Sequence, residues 1–160
     1  SMERIFVVEV MGRESGYIAL EVALAGGCED VIIPEKRFNL ENICHDIVEG
    51  NLRGKLSWII VVAEGAGSAF DIAEKITEMT GLETRPVVLG HIQRGGRPTA
   101  FSRTQALTLG NAAVECLLKG ESDKAVCVRN GQIHTVDLAS ASTKKQLDVD
   151  KLYNLIKILT

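Results

Sequence analysis

One unit occurs four times in succession along this sequence: a short apolar run, a polar loop and a helix-like segment. The apolar runs are continuous and rich in β-branched residues, and they lie at 4–10, 30–35, 57–64 and 85–90. Helical patterns follow them at about 17–27, 40–50, 70–80 and 99–119. Continuously apolar strands that alternate with helices are typical of a parallel sheet covered on both faces. The sequence therefore predicts an α/β fold, a parallel-sheet sandwich of three layers.

The last part of the chain has a different pattern. Residues 124–138 form two strand-like runs around Asn130 and Gly131, and an Asn-Gly pair is the strongest short-range signal for a β-hairpin. An amphipathic segment at about 148–159 predicts a final helix. We therefore expect a C-terminal hairpin and helix after the repeated unit.

The charge balance argues against polyanionic partners. The chain of 160 residues has 18 basic and 21 acidic side chains, well mixed, and a formal net charge of -3. Such a balance argues against nucleic acid and a polybasic membrane patch as partners. Any anion must then be bound by locally placed arginines.

Cysteine usage and the apolar runs indicate a cytoplasmic protein. The 4 cysteines show no CxxC spacing and lie among aliphatic residues, as buried thiols do in a reducing compartment. The longest apolar stretch, 58–63, is too short to span a bilayer, and no leader pattern opens the chain. Ser1 and Met2 resemble a tag scar and a starting methionine, so we expect native sequence from Glu3, with an extension further upstream possible.

Polar residues and glycines gather in the loops after three of the predicted strands. They are Met11, Gly12 and Arg13 after the first strand, Glu64 after the third, and Gly90, His91, Gln93 and Arg94 after the fourth. The carboxyl ends of parallel strands share one edge of a sheet, where helix N-termini favour anions. His91 and Arg94 suit a phosphate, and Glu64 suits sugar hydroxyls. The sequence therefore predicts a site for a phosphorylated, hydroxylated small molecule.

Each of these residues also has a plainer explanation. Arg13 and Arg94 could be ordinary loop arginines, and His91 alone would fit a hydrogen-bonded core histidine. Glu64 is harder to dismiss, because a carboxylate at the end of an apolar strand must be solvated or paired. Their coincidence at one predicted edge favours the functional interpretation.

Two further arginines lie at the opposite edge. Arg4 opens the first predicted strand and Arg85 opens the fourth, about 20 Å from the predicted site, which is one strand length. They are either solvated strand ends or residues placed in the pocket of a neighbouring subunit. Arg53 and Lys55 precede the third strand and form either a solvated loop or a second anion site. His45 and His134 lack companions at metal-ligand spacing, so no metal centre is expected.

Long segments of the chain resemble the signatures of the 6-phosphofructokinase family. They are VVEVMGRESGYIALEVALAGGCEDVIIPE at 7–35, ETRPVV at 83–88 and LGHIQRGGRPTAFSR at 89–103. The resemblance covers nearly all of the chain in order and implies the phosphofructokinase-like fold. It also implies an enzyme of glycolysis that transfers the γ-phosphoryl group of ATP to the 1-hydroxyl of fructose 6-phosphate, giving fructose 1,6-bisphosphate.

The resemblance assigns roles to the loop residues. His91 and Arg94 would hold the sugar 6-phosphate. Glu64 and the backbone of Met11 and Gly12 would meet the fructose hydroxyls. Arg13 would be the catalytic residue that steadies the phosphoryl group in transfer.

Other implied residues belong to subunit contacts of a homotetramer. Arg4 and Arg85 would lie in the active site of the adjacent subunit. An allosteric effector site would include Gly27, Glu29, Arg53 and Lys55.

The family segments that bind the nucleotide and supply the catalytic aspartate have no counterpart here. The chain therefore resembles the carboxyl-terminal half of the enzyme, and we predict that it has no kinase activity alone. ATP and Mg²⁺ would be bound mainly by the other half, with no active-site metal in this one.

The expected domains are a sugar-phosphate domain at 3–92, a long helix and hairpin at 93–142 that would return to the nucleotide domain, and a C-terminal helix at 143–160. Without that packing partner, the helix and hairpin would expose an apolar surface.

Two alternative functions stay open. The donor is selected by residues outside this chain, so the enzyme could be a pyrophosphate-dependent phosphofructokinase. The chain could also be a non-catalytic sugar-phosphate sensor, although a sensor has no evident need for Arg13. A purely structural subunit is disfavoured because the residues for the sugar phosphate are intact.

Overall fold

The computed structural model describes residues 4–143 and 148–159. Its elements are β1 (Arg4–Val10), α1 (Tyr17–Gly26), β2 (Asp30–Ile32), α2 (Leu40–Leu52), β3 (Ser57–Ala63), α3 (Ala69–Thr80), β4 (Thr84–Val88), a 3₁₀ turn (Gly90–Gln93), α4 (Ala100–Leu118), β5 (Lys124–Arg129), β6 (Gln132–Asp137), the short α5 (Leu138–Ala141) and α6 (Asp150–Leu159). They form two compact units. The first contains the chain up to Arg94 together with α6, and the second begins at Gly95.

The sheet of the first unit is parallel throughout, in the order β2-β3-β1-β4. In register, Ile5 lies beside Trp58 of β3 and Thr84 of β4, and Ile32 of β2 lies beside Val62. All four strands therefore end at the same edge. The predicted parallel α/β sheet is confirmed.

Helices cover both faces of this sheet. On one face, buried residues of α2 and α3 such as Ile47 and Ile76 pack with Val7, Ile60 and others of the strands. On the other face, Leu20 of α1 and Ile156 of α6 pack with buried residues of the strands. The predicted three-layer arrangement is therefore confirmed, with the two apolar clusters separated by the sheet.

Three strands end before their predicted last residue, β3 by a single residue and β2 and β4 by more. β2 ends at Ile32, because Pro34 has no N–H with which to continue the ladder. β4 ends at Val88, and the chain then turns at Gly90, whose φ of 52° is in the left-handed region. The difference at β4 matters for the site, since this turn begins the segment that carries His91 and Arg94.

The second unit consists of α4, α5 and the antiparallel β5–β6 hairpin. Asn130 and Gly131 have φ values of 52° and 75°, as a type I′ turn requires, so the predicted hairpin is confirmed. Thr99 begins α4 by accepting a hydrogen bond from the Ser102 N–H at 3.2 Å. The helix has no buried residue, and Phe101 and Leu118 are among its exposed apolar side chains.

Cys28 and Cys44 are buried and reduced, and burial raises the pKa of both thiols. Cys116 and Cys127 are half-buried. Within the described ranges, the helices are too short or too polar to cross a membrane.

Candidate functional site

The loops after β1 and β3 are joined by one carboxylate. Glu64 Oε1 accepts hydrogen bonds from the backbone N–H of Gly12 at 3.1 Å and of Arg13 at 2.7 Å. The Glu64 N–H in turn donates to the Val10 carbonyl at 3.0 Å, which continues the strand pairing to the edge. Glu64 therefore has a partner, which answers the question raised by a carboxylate after an apolar strand.

Close backbone packing reinforces this junction. A Cβ on Gly65 would lie 1.9 Å from the carbonyl oxygen of Arg13, so only glycine fits there. Arg13 itself has a φ of 52°, an uncommon conformation for a residue with a side chain. The strained backbone and the absent side chain together bring the two loops into direct contact.

The third loop is joined to the first by Gln93. The Met11 N–H donates to Gln93 Oε1 at 3.2 Å, and Gln93 Nε2 donates to the Gly90 carbonyl at 3.0 Å. The sequence placed Gln93 in this loop without a role. The Gln93 amide holds the 3₁₀ turn beside the end of β1. In the sheet, β1 lies between β3 and β4.

Positive charge surrounds Glu64. Its pKa is lowered, first by the hydrogen bonds from the Arg13 and Gly12 backbone and then by the charges of Arg13 and Arg94. Within the described ranges, no carboxylate lies within ion-pair distance of either guanidinium group, and both side chains are exposed, as is His91. The edge therefore presents two exposed guanidinium groups whose charges act on Glu64 but which form no close ion pair among the described residues.

Two more carboxylates bind backbone N–H groups at the starts of helices. Glu9 Oε2 accepts from the Ala69 N–H at the start of α3 at 2.9 Å. Both Glu35 oxygens accept from the Gly16 N–H before α1, at 2.9 and 3.0 Å. Each offsets the unpaired amides of a helix N-terminus. Sequence reasoning missed both, although Glu35, like Glu64, follows a β-strand.

Arg4 and Arg85 lie at the opposite edge, as the strand directions require. Arg4 is the first residue of β1, and Arg85 is the second of β4. The Arg85 guanidinium pairs with Glu83 at 2.6 Å. Within one chain, neither side chain belongs to the loop cluster.

A separate pocket contains three of the residues that the resemblance assigned to an effector. Glu29, Arg53 and Lys55 line a cavity of about 360 Å³ together with Trp58 and others. Lys55 Nζ lies 3.0 Å from Glu29 Oε1 and 4.6 Å from the centre of the Trp58 ring. Gly27 ends α1 in a left-handed conformation with a φ of 62° but is not a lining residue.

Sequence reasoning missed an ion pair in the same pocket. Asp30 at the start of β2 is 1% exposed, and its Oδ1 pairs with Lys157 of α6. Burial raises the pKa of Asp30, while Lys157 acts in the opposite direction. The only signal in the sequence was a charged residue next to the buried run of β2, and its partner is 127 residues away.

A family model described as Phosphofructokinase matches residues 1–117. The chain belongs to the phosphofructokinase family. Among curated relatives, the ATP-dependent 6-phosphofructokinase of Clostridium novyi (strain NT) is 47% identical over 160 residues, which are 100% of this chain and 50% of that relative. This chain therefore spans about half the length of the curated phosphofructokinase it matches.

Solved phosphofructokinases share the fold. The phosphofructokinase from Saccharomyces cerevisiae matches with a TM-score of 0.77 and 33% identity, over 87% of this chain and 20% of the other. The pyrophosphate-dependent phosphofructokinase from Marinobacter aquaeolei matches with a TM-score of 0.72 and 28% identity, over 93% of this chain and 43% of the other. Both coverages agree with a partial chain of a phosphofructokinase.

Proposed function

We propose that this chain is the fructose 6-phosphate-binding half of a 6-phosphofructokinase that phosphorylates the sugar 1-hydroxyl in glycolysis. The observation that carries the proposal is the junction of three loops at one sheet edge by Glu64 and Gln93. The proposal is supported by exposed arginines that lie near a hydrogen-bonding carboxylate without a close ion pair among the described residues. A phosphate ester of a sugar needs both kinds of group within one small site.

The roles divide between binding and transfer. His91 and Arg94 bind the 6-phosphate, and Glu64 with the Met11–Gly12 backbone orients the fructose hydroxyls. Arg13 stabilises the charge on the phosphoryl group during transfer, which is the main task of protein groups in such reactions. The left-handed backbone of Arg13, with its N–H bound to Glu64, fixes the origin of that side chain.

Mg²⁺ and ATP do not fit the residues of this edge. Glu64 already accepts two backbone N–H groups and lies near two arginines, whereas Mg²⁺ prefers several free oxygen ligands. We therefore place the donor, the metal and the general base outside this chain. It follows that the chain alone does not phosphorylate fructose 6-phosphate.

ATP is the proposed donor because curated relatives that match the whole chain are named ATP-dependent 6-phosphofructokinases. Pyrophosphate remains the second candidate, since a pyrophosphate-dependent enzyme shares the fold at 28% identity. An assay of the enzyme with its nucleotide-binding half distinguishes the two donors.

The remaining proposals concern assembly and regulation. Arg4 and Arg85 serve the site of a neighbouring subunit in a homotetramer in the cytoplasm, because they lie at the wrong edge to serve their own. Glu29, Arg53 and Lys55 form an effector pocket for a phosphate-bearing ligand. The resemblance adds Gly27, which ends α1, to the same site. The exposed apolar side chains of α4 pack against the nucleotide-binding half. For the domains we keep the division implied by the resemblance, at 92 and 142, whereas the two compact units divide after Arg94 and the first of them includes α6.

Calorimetric titration with fructose 6-phosphate tests the sugar site, with fructose as the ligand control. We expect selective binding of the phosphate ester, lost in Arg94→Ala. Arg129→Ala removes another exposed arginine, from the hairpin, and should bind as the wild type does. Equal binding of fructose, or unchanged binding by Arg94→Ala, would contradict the assignment.

A further inference from the structure

The hydrogen-bond ladder between β1 and β4 lacks its last step at the loop edge. At the start of the ladder, the Ile5 N–H donates to the Glu83 carbonyl at 3.4 Å. At its end, the Leu89 N–H donates to the Glu9 carbonyl at 3.2 Å. Parallel ladders repeat every two residues, so the next donor is the Met11 N–H, and its regular acceptor would be the Leu89 carbonyl.

The side chain of Gln93 supplies the missing step. The Leu89 carbonyl accepts from the Ile92 N–H at 3.3 Å, because the chain enters the 3₁₀ turn there. The Met11 N–H donates instead to Gln93 Oε1 at 3.2 Å, and Gln93 Nε2 donates to the Gly90 carbonyl at 3.0 Å. A backbone N–H can only donate and a carbonyl can only accept, so the two partners fix the orientation of this amide.

Gln93 thereby joins two segments that the proposed function assigns to opposite ends of the sugar. It lies between His91 and Arg94, the residues proposed to bind the 6-phosphate. Its partner Met11 lies two residues before Arg13, which is proposed to act on the phosphoryl group at the 1-hydroxyl. The amide bridge therefore sets the distance between two anion-binding positions of one site.

The spacing of these two positions matters most for a ligand that is anionic at both ends. A sugar monophosphate contacts one position, whereas a bisphosphate contacts both at once. The second contact adds its full strength only when the protein already holds both positions at the spacing of the ligand, because otherwise part of the binding free energy is used to order a loop. The product of the proposed reaction, fructose 1,6-bisphosphate, is a ligand of this kind.

We propose that Gln93 is a positioning residue that sets the spacing between the 3₁₀ turn and the loop after β1, and so determines how strongly the site prefers a sugar bisphosphate over a sugar monophosphate. The inference rests on the proposed function and adds to it a residue that acts through the backbone of Met11 and Gly90. An amide suits this role because it accepts on one side and donates on the other. A carboxylate would face the Gly90 carbonyl with a second acceptor, and an apolar side chain would leave the Met11 N–H without its partner.

The test compares fructose 6-phosphate and fructose 1,6-bisphosphate by calorimetric titration of the same protein. Gln93→Met keeps the length of the side chain and removes both of its hydrogen bonds. Thr80→Val is the matched control, because Thr80 Oγ1 is also half-buried, accepts one backbone N–H, from Leu82, and donates to one carbonyl, of Ile76. Thr80 ends α3 at the opposite edge of the sheet, where β4 begins. Urea unfolding measures the stability of each variant.

The wild type should bind the bisphosphate about tenfold more tightly than the monophosphate, which is the effect of one further charge-assisted contact. In Gln93→Met this preference should fall to about twofold or less, while the affinity for the monophosphate falls by about threefold at most, because the 3₁₀ turn alone still binds one phosphate. Thr80→Val should keep the wild-type preference. A role confined to stability would weaken the binding of both ligands alike, so the ratio of the two affinities distinguishes positioning from folding.

An unchanged preference in Gln93→Met would overturn the inference and leave the proposed function standing, since Gln93 would then only complete the ladder. Equal affinity of the wild type for the two ligands, or an equal loss of preference in Thr80→Val, would overturn it in the same way. Binding of neither ligand by the wild type would contradict the proposed function and the inference together.

Discussion

The two candidate binding regions of the first unit use opposite arrangements of charge. At the loop edge, carboxylates bind backbone N–H groups, and Arg13 and Arg94 have no ion-pair partner among the described residues. In the pocket beside Trp58, carboxylates bind the cations themselves. In the proposed function, the loop edge would accept an anion without rearrangement, while an anion in the pocket would first have to displace carboxylates from their cations. The proposal thus contrasts a preorganised substrate site with a site whose occupation changes the protein.

The largest effect on the loop edge is expected for Gly65→Ala. Its new methyl group would meet the Arg13 carbonyl oxygen at 1.9 Å, and no side-chain rotation can relieve the clash, because the backbone fixes the positions of both atoms. We expect the free energy of unfolding to fall by about 3 kcal/mol and fructose 6-phosphate binding to disappear. Gly110→Ala, in open space on α4, is the control and should be neutral or stabilising by up to about 1 kcal/mol. Similar urea midpoints for the two variants would show that the loops are not in close contact.

Glu64→Ala tests the carboxylate rather than the packing. Two N–H groups would lose their acceptor, the loop after β1 would lose its fixed position, and fructose 6-phosphate affinity should fall at least about tenfold by calorimetry. Glu74→Ala, on the exposed side of α3, should not change it. Full affinity in Glu64→Ala would mean that the edge is not organised by this carboxylate.

The pH dependence of the stability of Asp30→Asn tests the buried carboxylate of the pocket. Burial raises the pKa of Asp30 above its ordinary 3.8, so the folded chain binds this proton more tightly than the unfolded chain. The corresponding stability is present below the unfolded-state pKa and is lost as pH rises through the folded-state pKa. Asp30→Asn should therefore gain stability relative to the wild type in urea unfolding as the pH rises above about 4. A difference that does not change with pH would contradict the burial of a charged carboxylate.

The smallest effect is expected for Arg53→Ala. Its pair with Glu49 is exposed, and such pairs contribute little. The free energy of unfolding should change by no more than about 0.5 kcal/mol, even though the proposed effector pocket loses a cation. A loss of stability several times larger would mean that the pocket is a structural element rather than a binding site.

Sequence patterns predicted the fold well where a single residue type decides the local structure. Asn130 and Gly131 specify their turn, and continuous apolar strands specify a covered parallel sheet. The loop residues were predicted to meet because parallel strands share an edge. The contacts that join them could not be predicted, since Gln93 and Met11 are 82 residues apart and only the strand order makes them neighbours.

The side-chain contacts of the pocket beside Trp58 were even harder to predict from the sequence than those of the loop edge. Arg53 and Lys55 suggested an anion site, but two cations close together in the sequence also fit a solvated loop. Only the folded chain shows that Lys157 of α6 compensates Asp30 of β2, because no periodicity relates a final helix to an edge strand. Side-chain pairing across long separations determines which cations are available, and sequence spacing alone does not report it.

The central claim, that the loop edge accepts an anion directly, is tested most directly by a two-dimensional ¹⁵N–¹H NMR titration of the chain with fructose 6-phosphate. We predict that the backbone amides of Gly12, Arg13, Gly65 and Arg94 shift first and saturate together, while those of Arg53 and Lys55 stay unchanged over the same range. Shifts that begin at Arg53 and Lys55, or saturating binding without any shift at Gly12 and Arg13, would contradict it.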